Sequence, residues 1–190
     1  MAAFDFPLRY RLKSLCDTYG FSLTELAKND VLARQRPFEA VTFVDNHDFS
    51  GAESVVNDKI LAYAYILTHE GYPCVFWKDY FNHGLARPGE PGGIERLVQV
   101  HERFAGGGTE ILWADDLVYA MARTGTDAQP GLVLGLNNAG APQRRNLTLR
   151  TRKRLEPLAW KGAAIPPPLV PDERGAIALE VPARGYVVYA

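Results

Sequence analysis

A histidine and two carboxylates follow a short apolar run near residue 45. The run AVTFV at residues 40–44 predicts a buried strand, and the polar residues DNHD at 45–48 follow it without a break. Imidazole and carboxylate groups can transfer protons or bind hydroxyl groups, depending on what they face. In a parallel β/α architecture, catalytic groups collect at the carboxyl ends of the strands. The sequence therefore predicts a functional site after residue 44.

The same residues also suit a purely structural turn. Aspartate and asparagine side chains hydrogen-bond nearby backbone groups and cap helices that follow them. Residues 45–48 contain three such side chains. On residue types and spacing alone, a polar turn and a functional site are about equally well supported.

Three motifs together resemble one protein family. The segment FVDNHD at 43–48 resembles the seventh-strand motif of the α-amylase family, glycoside hydrolase family 13. FDFPLRY at 4–10 resembles the segment that follows the family's sixth strand, and GYPCVFWKDY at 71–80 resembles its eighth strand and loop. The motifs occur in the family's order, which makes the combined resemblance more specific than any single motif.

The resemblance implies an α/β part followed by an all-β part. Residues 1–107 would be the C-terminal part of a catalytic (β/α)8 TIM barrel, with strands 7 and 8 and their flanking helices. Residues 108–190 would form an antiparallel β-sandwich, with the boundary at the glycines of 106–108. A complete barrel needs about 250 residues, whereas this chain has 190. We therefore interpret the chain as the C-terminal portion of an amylase.

The resemblance also implies roles for five site residues. Asp48 corresponds to the family's transition-state stabiliser, a catalytic carboxylate that binds ring hydroxyls of the sugar being cleaved. His47 corresponds to a sugar-binding histidine, and Asn46 is expected beside it in the substrate-binding set. Trp77 and Tyr80 are expected to offer aromatic faces to glucose rings, with burial in the core as the alternative for either one.

Other residues of these motifs support the loop or depart from the family pattern. Asp45, together with Asn46, is expected to hold the geometry of the loop. Phe49 stands where the family commonly has threonine, and Lys78 stands where it often has a small residue. The shape of the cleft at these two positions is therefore not given by the resemblance.

The resemblance implies that this chain lacks the two principal catalytic carboxylates of the family. Retaining glycosidases use two carboxyl groups as nucleophile and general acid/base. In the α-amylase family these groups lie on the fourth and fifth barrel strands, and neither segment is present here. The resemblance implies a hydrolase of α-1,4-glucans such as starch, glycogen or maltodextrin, with this chain an inactive fragment when alone. The alternative is a non-catalytic glucan-binding or structural remnant.

Composition and charge limit the partners. Hydrophobic residues make up 47% and charged residues 23%, as in ordinary globular domains. The net charge of −1 gives no reason to expect nucleic acid or an anionic membrane as a partner. The expected partners are an α-glucan and a missing N-terminal barrel fragment. No cofactor or metal site is assigned, because the family's calcium ligands lie mostly upstream. Residues 1–5 lack a signal-peptide pattern, and no compartment is assigned.

The first half is predicted to contain four helices and a second strand, and one of the helices is a short one that begins at Ser22 with a capping box to Glu25. Helical spacing places Leu8, Leu12, Leu15 and Cys16 on a buried face, and we expect Arg9 to be solvated on the opposite face. Further helices are predicted over 56–70 and 94–104, and a strand over 73–77.

Individual residues in these elements carry further expectations. His69 is expected to be a cation in the last turn of its helix. His83 is expected in an exposed loop, and Cys74 is expected to be buried like Cys16.

The second half predicts antiparallel strands. Short apolar runs are separated by clusters of Gly, Pro, Asn and Asp, which is typical of an antiparallel sandwich. The predicted strands lie at 111–113, 118–121, 132–136, 147–149, 177–181 and 186–189.

Overall fold

The computed structural model describes residues 1–190 as a parallel sheet with helices, followed by two antiparallel sheets. The strands are β1 (Ala3–Phe4), β2 (Ala40–Phe43), β3 (Tyr72–Cys74), β4 (Thr109–Ala114), β5 (Val118–Arg123), β6 (Val133–Asn137), β7 (Gln143–Thr148), β8 (Pro157–Trp160), β9 (Ala176–Val181) and β10 (Gly185–Tyr189). The helices are α1 (Phe6–Asp17), α2 (Leu32–Gln35), α3 (Lys59–Ile66), α4 (Trp77–Phe81) and α5 (Ile94–Phe104). None of them combines the length and apolar character that a membrane span requires.

Three parallel strands form the sheet that carries the predicted motifs. The order is β1–β2–β3, with Ala3 opposite Ala40 and Val41 opposite Tyr72. Because the strands are parallel, the segments that leave their carboxyl ends emerge at one edge of the sheet. The loop that begins at Val44 therefore lies at the same edge as α1 and α4.

Helix α1 has the predicted buried face, with one important exception on the opposite side. Leu8, Leu12, Leu15 and Cys16 are buried as expected. The expectation that Arg9 is solvated is wrong, because its side chain is only 1% exposed. Its partners come from elsewhere in the chain, and helical spacing alone does not reveal them.

Helix α3 is shorter than predicted and is surrounded by other elements. It begins after Asp58, which has a left-handed φ of 40°, and every residue from Ile60 to Ile66 is buried. Helices α1 and α5 and strands β2 and β10 pack around it.

His69 lies beyond the end of this helix and is not a cation. Its Nδ1 lies 2.9 Å from the Tyr65 carbonyl oxygen, and its Nε2 lies 2.8 Å from the Tyr119 hydroxyl. Burial lowers the pKa of His69 to about 3, so the ring is neutral at pH 7. The expectation that a charged His69 interacts favourably with the end of its helix is therefore wrong.

Strand β3 and helix α4 also correct the predicted boundaries. The strand ends at Cys74 and the chain turns into α4 at Trp77, where a strand end and loop were predicted. Cys74 is exposed, against expectation, whereas Cys16 is buried as predicted. Burial raises the pKa of the Cys16 thiol to about 12.

The second half consists of antiparallel sheets, as the sequence predicts. One sheet has the order β4–β5–β6–β10–β8, and β7 pairs with β9 in a second sheet. Leu147, Leu179 and Val187 belong to the apolar cluster between the two sheets. The mixed helix and sheet composition is thus confirmed, although β1 and β8 were not predicted.

The opposite face of the five-stranded sheet packs directly on the helices. Tyr119, Met121 and Tyr186 belong to the same core cluster as Leu61 and Leu97 of the helical half. Asp58 also accepts hydrogen bonds from Lys161 and Arg184 of the sheet half. The two halves therefore share one hydrophobic core.

Candidate functional site

A cleft of about 630 Å³ opens at the carboxyl edge of the parallel sheet. Small-molecule sites typically have volumes of about 300–1,000 Å³, so the cleft is large enough for a ligand. The segments after β2 and β3 supply most of its wall. It is lined by Asp45, Asn46, His47, Phe49, Ser54, Val55, Val56, Asp58, Lys59, Ile60, Phe76, Lys78, His83, Leu85, Arg87 and Lys161.

Asp45 anchors the loop that follows β2. It is almost fully buried, and it accepts hydrogen bonds from Arg9 Nη2 at 2.9 Å and from Lys59 Nζ at 2.9 Å. Its Oδ2 also accepts from the Val55 backbone N–H at 3.0 Å. A buried carboxylate with two cationic partners and a backbone donor is well compensated. These contacts hold both ends of the loop from 45 to 55 in place.

The next three residues form a turn that exposes two side chains. Asn46 Oδ1 accepts from the Asp48 backbone N–H at 2.9 Å, an Asx-type turn. His47 and Asp48 are 84% and 68% exposed, and His47 Nε2 lies 3.2 Å from Asp48 Oδ1. The turn predicted as the structural alternative is therefore present, and it presents the histidine and the carboxylate to solvent.

The five residues named from sequence do not all line this cleft. Asn46 and His47 do, whereas Asp48 stands next to His47 outside the lining set. Trp77 is exposed on α4, and Tyr80 is half-buried against the core. Both rings pack against Phe81, with centroids 5.3 Å and 4.8 Å away. These two aromatic side chains lie on the element beside the cleft.

Sequence reasoning missed a buried carboxylate beneath the cleft. Asp79 is fully buried and accepts from Lys59 Nζ at 2.7 Å, from the Tyr63 hydroxyl at 2.7 Å and from His83 Nδ1 at 2.8 Å. Burial and the Asp79 charge together raise the pKa of Tyr63. The spacing of Asp79 and His83, four residues apart, was the one available signal in the sequence.

Lys59 joins this carboxylate to the loop. Burial lowers the pKa of Lys59, but its hydrogen bonds to Asp79 and Asp45 outweigh burial and leave the pKa raised. The ammonium group therefore stays charged between two carboxylates. A row of alternating charges runs from Arg9 through Asp45 and Lys59 to Asp79, and its two middle members line the cleft.

Arg9 closes the row at the other end. Its Nε donates to the Val44 carbonyl oxygen at 3.2 Å, and its guanidinium carbon lies 3.6 Å from the centroid of Phe49. Such a cation–π contact stabilises the ring position. Phe49 lines the cleft and stacks near Phe43 at 6.4 Å. The departure from the family pattern at Phe49 thus places an aromatic ring over a buried arginine.

The arrangement suits binding of a polar, hydroxyl-rich ligand. Asn46, His47 and His83 supply hydrogen-bonding groups, and Phe49 and Phe76 supply apolar surface. The two carboxylates of the lining, Asp45 and Asp58, both pair with cations. No cluster of three or more His, Cys, Asp or Glu side chains is placed to hold a metal ion.

Comparison with known proteins agrees with this architecture. The γ-CGTase from alkalophilic Bacillus clarkii superposes with a TM-score of 0.75 at 20% identity, covering 100% of this chain and 32% of that one. An Anoxybacillus α-amylase superposes with a TM-score of 0.73 at 18% identity, covering 99% of this chain and 46% of that one. The fold is therefore one found within α-amylase-type structures.

No family model matches the chain. Individual amylases and related glucan hydrolases are nevertheless similar to it in sequence. Glucan 1,4-α-maltohexaosidase of Bacillus sp. (strain 707) is 33% identical over 138 residues, which is 68% of this chain and 26% of the relative. An α-amylase of Geobacillus stearothermophilus is 33% identical over 141 residues, 69% of this chain and 25% of the relative. The resemblance to the α-amylase family is confirmed. The chain spans about a quarter of the length of these curated relatives.

Proposed function

We propose that this chain is part of an α-amylase-type glycoside hydrolase that acts on α-1,4-glucans by the retaining mechanism. The observation that carries the proposal is the Asx-type turn that exposes His47, which lines the cleft, and Asp48 beside it. Similarity to proteins named glucan 1,4-α-maltohexaosidase and α-amylase supports it. Starch, glycogen and maltodextrins are the candidate substrates.

Asp48 is the proposed transition-state stabiliser. Hydrogen bonds from sugar hydroxyls to a carboxylate strengthen as positive charge develops on the ring, so a carboxylate that is not the nucleophile still lowers the barrier. His47 and Asn46 bind hydroxyls of the same glucose unit. Trp77 and Tyr80 offer aromatic surface to neighbouring units along α4.

The parallel sheet supports a proposed place for the chain in the whole enzyme. Residues 1–107 are the last units of a (β/α)8 barrel, and residues 108–190 are the β-sandwich domain that follows it. Support comes from the sheet order, in which β1 and β3 each have a neighbour on one side only. Such edges accept a further strand, and a missing N-terminal barrel fragment would supply the strands.

The nucleophile and the general acid are proposed to lie in that other fragment. Retaining glycosidases hold these two carboxyl groups about 5–5.5 Å apart. The lining carboxylates Asp45 and Asp58 are instead engaged by cations. The isolated chain is therefore expected to bind glucan without hydrolysing it.

Calorimetric titration of the 190-residue chain with maltoheptaose tests the proposal. Asp48→Asn should weaken binding about ten- to a hundredfold, the loss of a charge-assisted hydrogen bond. Asp127→Asn, at an exposed position in the sheet half, is the matched control and should bind like the unchanged chain. If Asp48→Asn and the unchanged chain bound maltoheptaose equally well, the glucan site would have to lie elsewhere on the surface. Starch cleavage by the pure chain would contradict the assignment of the catalytic carboxylates to another fragment.

A further inference from the structure

A second histidine lines the cleft, and it belongs to the segment after β3 rather than to the loop after β2. His83 follows α4, is 52% exposed and lines the cleft together with His47. Its Nδ1 lies 2.8 Å from Oδ1 of the fully buried Asp79. Asp79 therefore holds the ring at Nδ1, while about half of the side chain remains exposed.

The contact with Asp79 determines which ring nitrogen carries the proton. A carboxylate only accepts hydrogen bonds, so Nδ1 must be the donor. In the neutral ring Nε2 is then an acceptor, and the structure gives Nε2 no protein partner. The group that faces the cleft is an imidazole nitrogen with a free lone pair.

Asp79 is itself held in one orientation by groups on α3. Lys59 Nζ donates to the same oxygen, Oδ1, and the Tyr63 hydroxyl donates to Oδ2. Tyr63 is also fixed by the Phe76 backbone N–H, which donates to its oxygen at 3.3 Å. A carboxylate held by two side chains fixes the ring it binds, much as outer partners orient the histidines of metal sites.

We infer that His83 is a second sugar-binding histidine, whose Nε2 accepts a hydrogen bond from a hydroxyl of the bound glucan. Asp79 is the positioning residue that fixes its ring. The inference rests on the proposed function, because it takes the ligand of the cleft to be a glucan. It adds a residue from the segment after β3 to those supplied by the loop after β2, so that two walls of the cleft contact the sugar.

Binding of maltoheptaose to the 190-residue chain provides the first test. His83→Ala should weaken binding about five- to tenfold, and Asn82→Ala should leave it unchanged. Asn82 is the matched control because it is the exposed neighbour of His83 and its side chain makes no hydrogen bond in the structure. Full affinity for His83→Ala, with normal binding by the unchanged chain, overturns the inference and leaves the proposed function standing. Absence of binding by the unchanged chain overturns both.

Ring-nitrogen resonances of the unchanged chain provide a second test, whose first two observations need no variant. With the ring in its neutral form, long-range proton–nitrogen spectra should show His83 protonated at Nδ1. Maltoheptaose should shift the Nε2 resonance of His83 and leave that of the distant His101 in place. Asp79→Asn should return His83 to a mixture of tautomers, which a purely structural role of Asp79 would not cause. A His83 protonated at Nε2 in the unchanged chain would overturn the inference.

Discussion

Lys59 and Asp79 form a buried ion pair in which Nζ lies 2.7 Å from Oδ1. The pair joins α3 to α4, and the same Nζ reaches Asp45 in the loop after β2 at 2.9 Å. One ammonium group therefore ties together the two segments that form the walls of the cleft. Because both carboxylates are buried, neither can exchange this partner for water.

Removal of this cation should strongly destabilise the protein. Lys59→Met leaves Asp45 and Asp79 buried with one compensating charge fewer, and we expect a loss of about 3–5 kcal/mol in the free energy of unfolding. Urea unfolding followed by tryptophan fluorescence measures the loss. Lys28→Met is the control, because Lys28 forms an exposed pair with Glu25 and should change stability by less than about 0.5 kcal/mol. Similar unfolding midpoints for the two variants would contradict the compensating role of Lys59.

The buried histidine His69 should make stability depend on pH. Its pKa is lowered to about 3 in the folded protein, against about 6.5 in an unfolded chain. The unfolded state therefore binds a proton that the folded state excludes. The stability contributed by neutral His69 is fully present above about pH 6.5 and is lost as the pH falls towards 3, by up to about 1.4 kcal/mol per pH unit.

Urea midpoints between pH 7.5 and pH 4.5 measure this dependence. Burial also lowers the pKa of His101, so His69→Gln should reduce the slope without abolishing it. The pKa of carboxyl groups such as Asp17 is also lowered. Their protonation therefore changes the stability mainly at a pH below this window. A slope identical in His69→Gln and the unchanged chain would show that His69 is not the group responsible.

Elements with a strong local pattern could be predicted from the sequence. The bounds of α5 were predicted correctly, and β2 follows from its apolar run, because periodicity and turn residues mark these segments. Helix α4 has five residues, which is too short for periodicity to separate it from a loop. Strand β8, Pro157–Trp160, is shorter still and begins with a proline, a residue that usually argues against a strand.

The surroundings of the site could not be predicted in the same way. The position of Asn46 and His47 after a strand follows from local sequence and the family resemblance. Arg9 was expected in solvent because its partner Asp45 is 36 residues away in the chain. Similarly, the sequence predicts Asp79 to be a loop residue, because its partners Lys59 and Tyr63 lie on another helix. Burial of charge depends on such distant partners, and a single sequence carries no record of them.

Gly93 should not tolerate a side chain. A Cβ at this position would clash with the Ala86 carbonyl oxygen, because the connector folds tightly onto the start of α5. Gly93→Ala should therefore cost about 1–3 kcal/mol through overpacking, measured as a lower thermal unfolding midpoint. Gly140→Ala is the control, since a Cβ there would meet nothing within 4 Å. If both variants unfolded at the same temperature, the close approach of Ala86 to Gly93 would be refuted.

The two cysteines should differ sharply in their reaction with thiol reagents. Cys74 is exposed at the end of β3, whereas Cys16 is buried and its pKa is raised to about 12 by burial. The thiolate is the reactive form and needs access to the reagent, so Ellman's reagent should modify one thiol quickly in the native protein and both in urea. Cys74→Ser should remove the fast reaction, and Cys16→Ser should retain it. Rapid modification of two thiols in the native chain would mean that α1 does not pack against α3 as the structure shows, since Cys16 lies on the face between them.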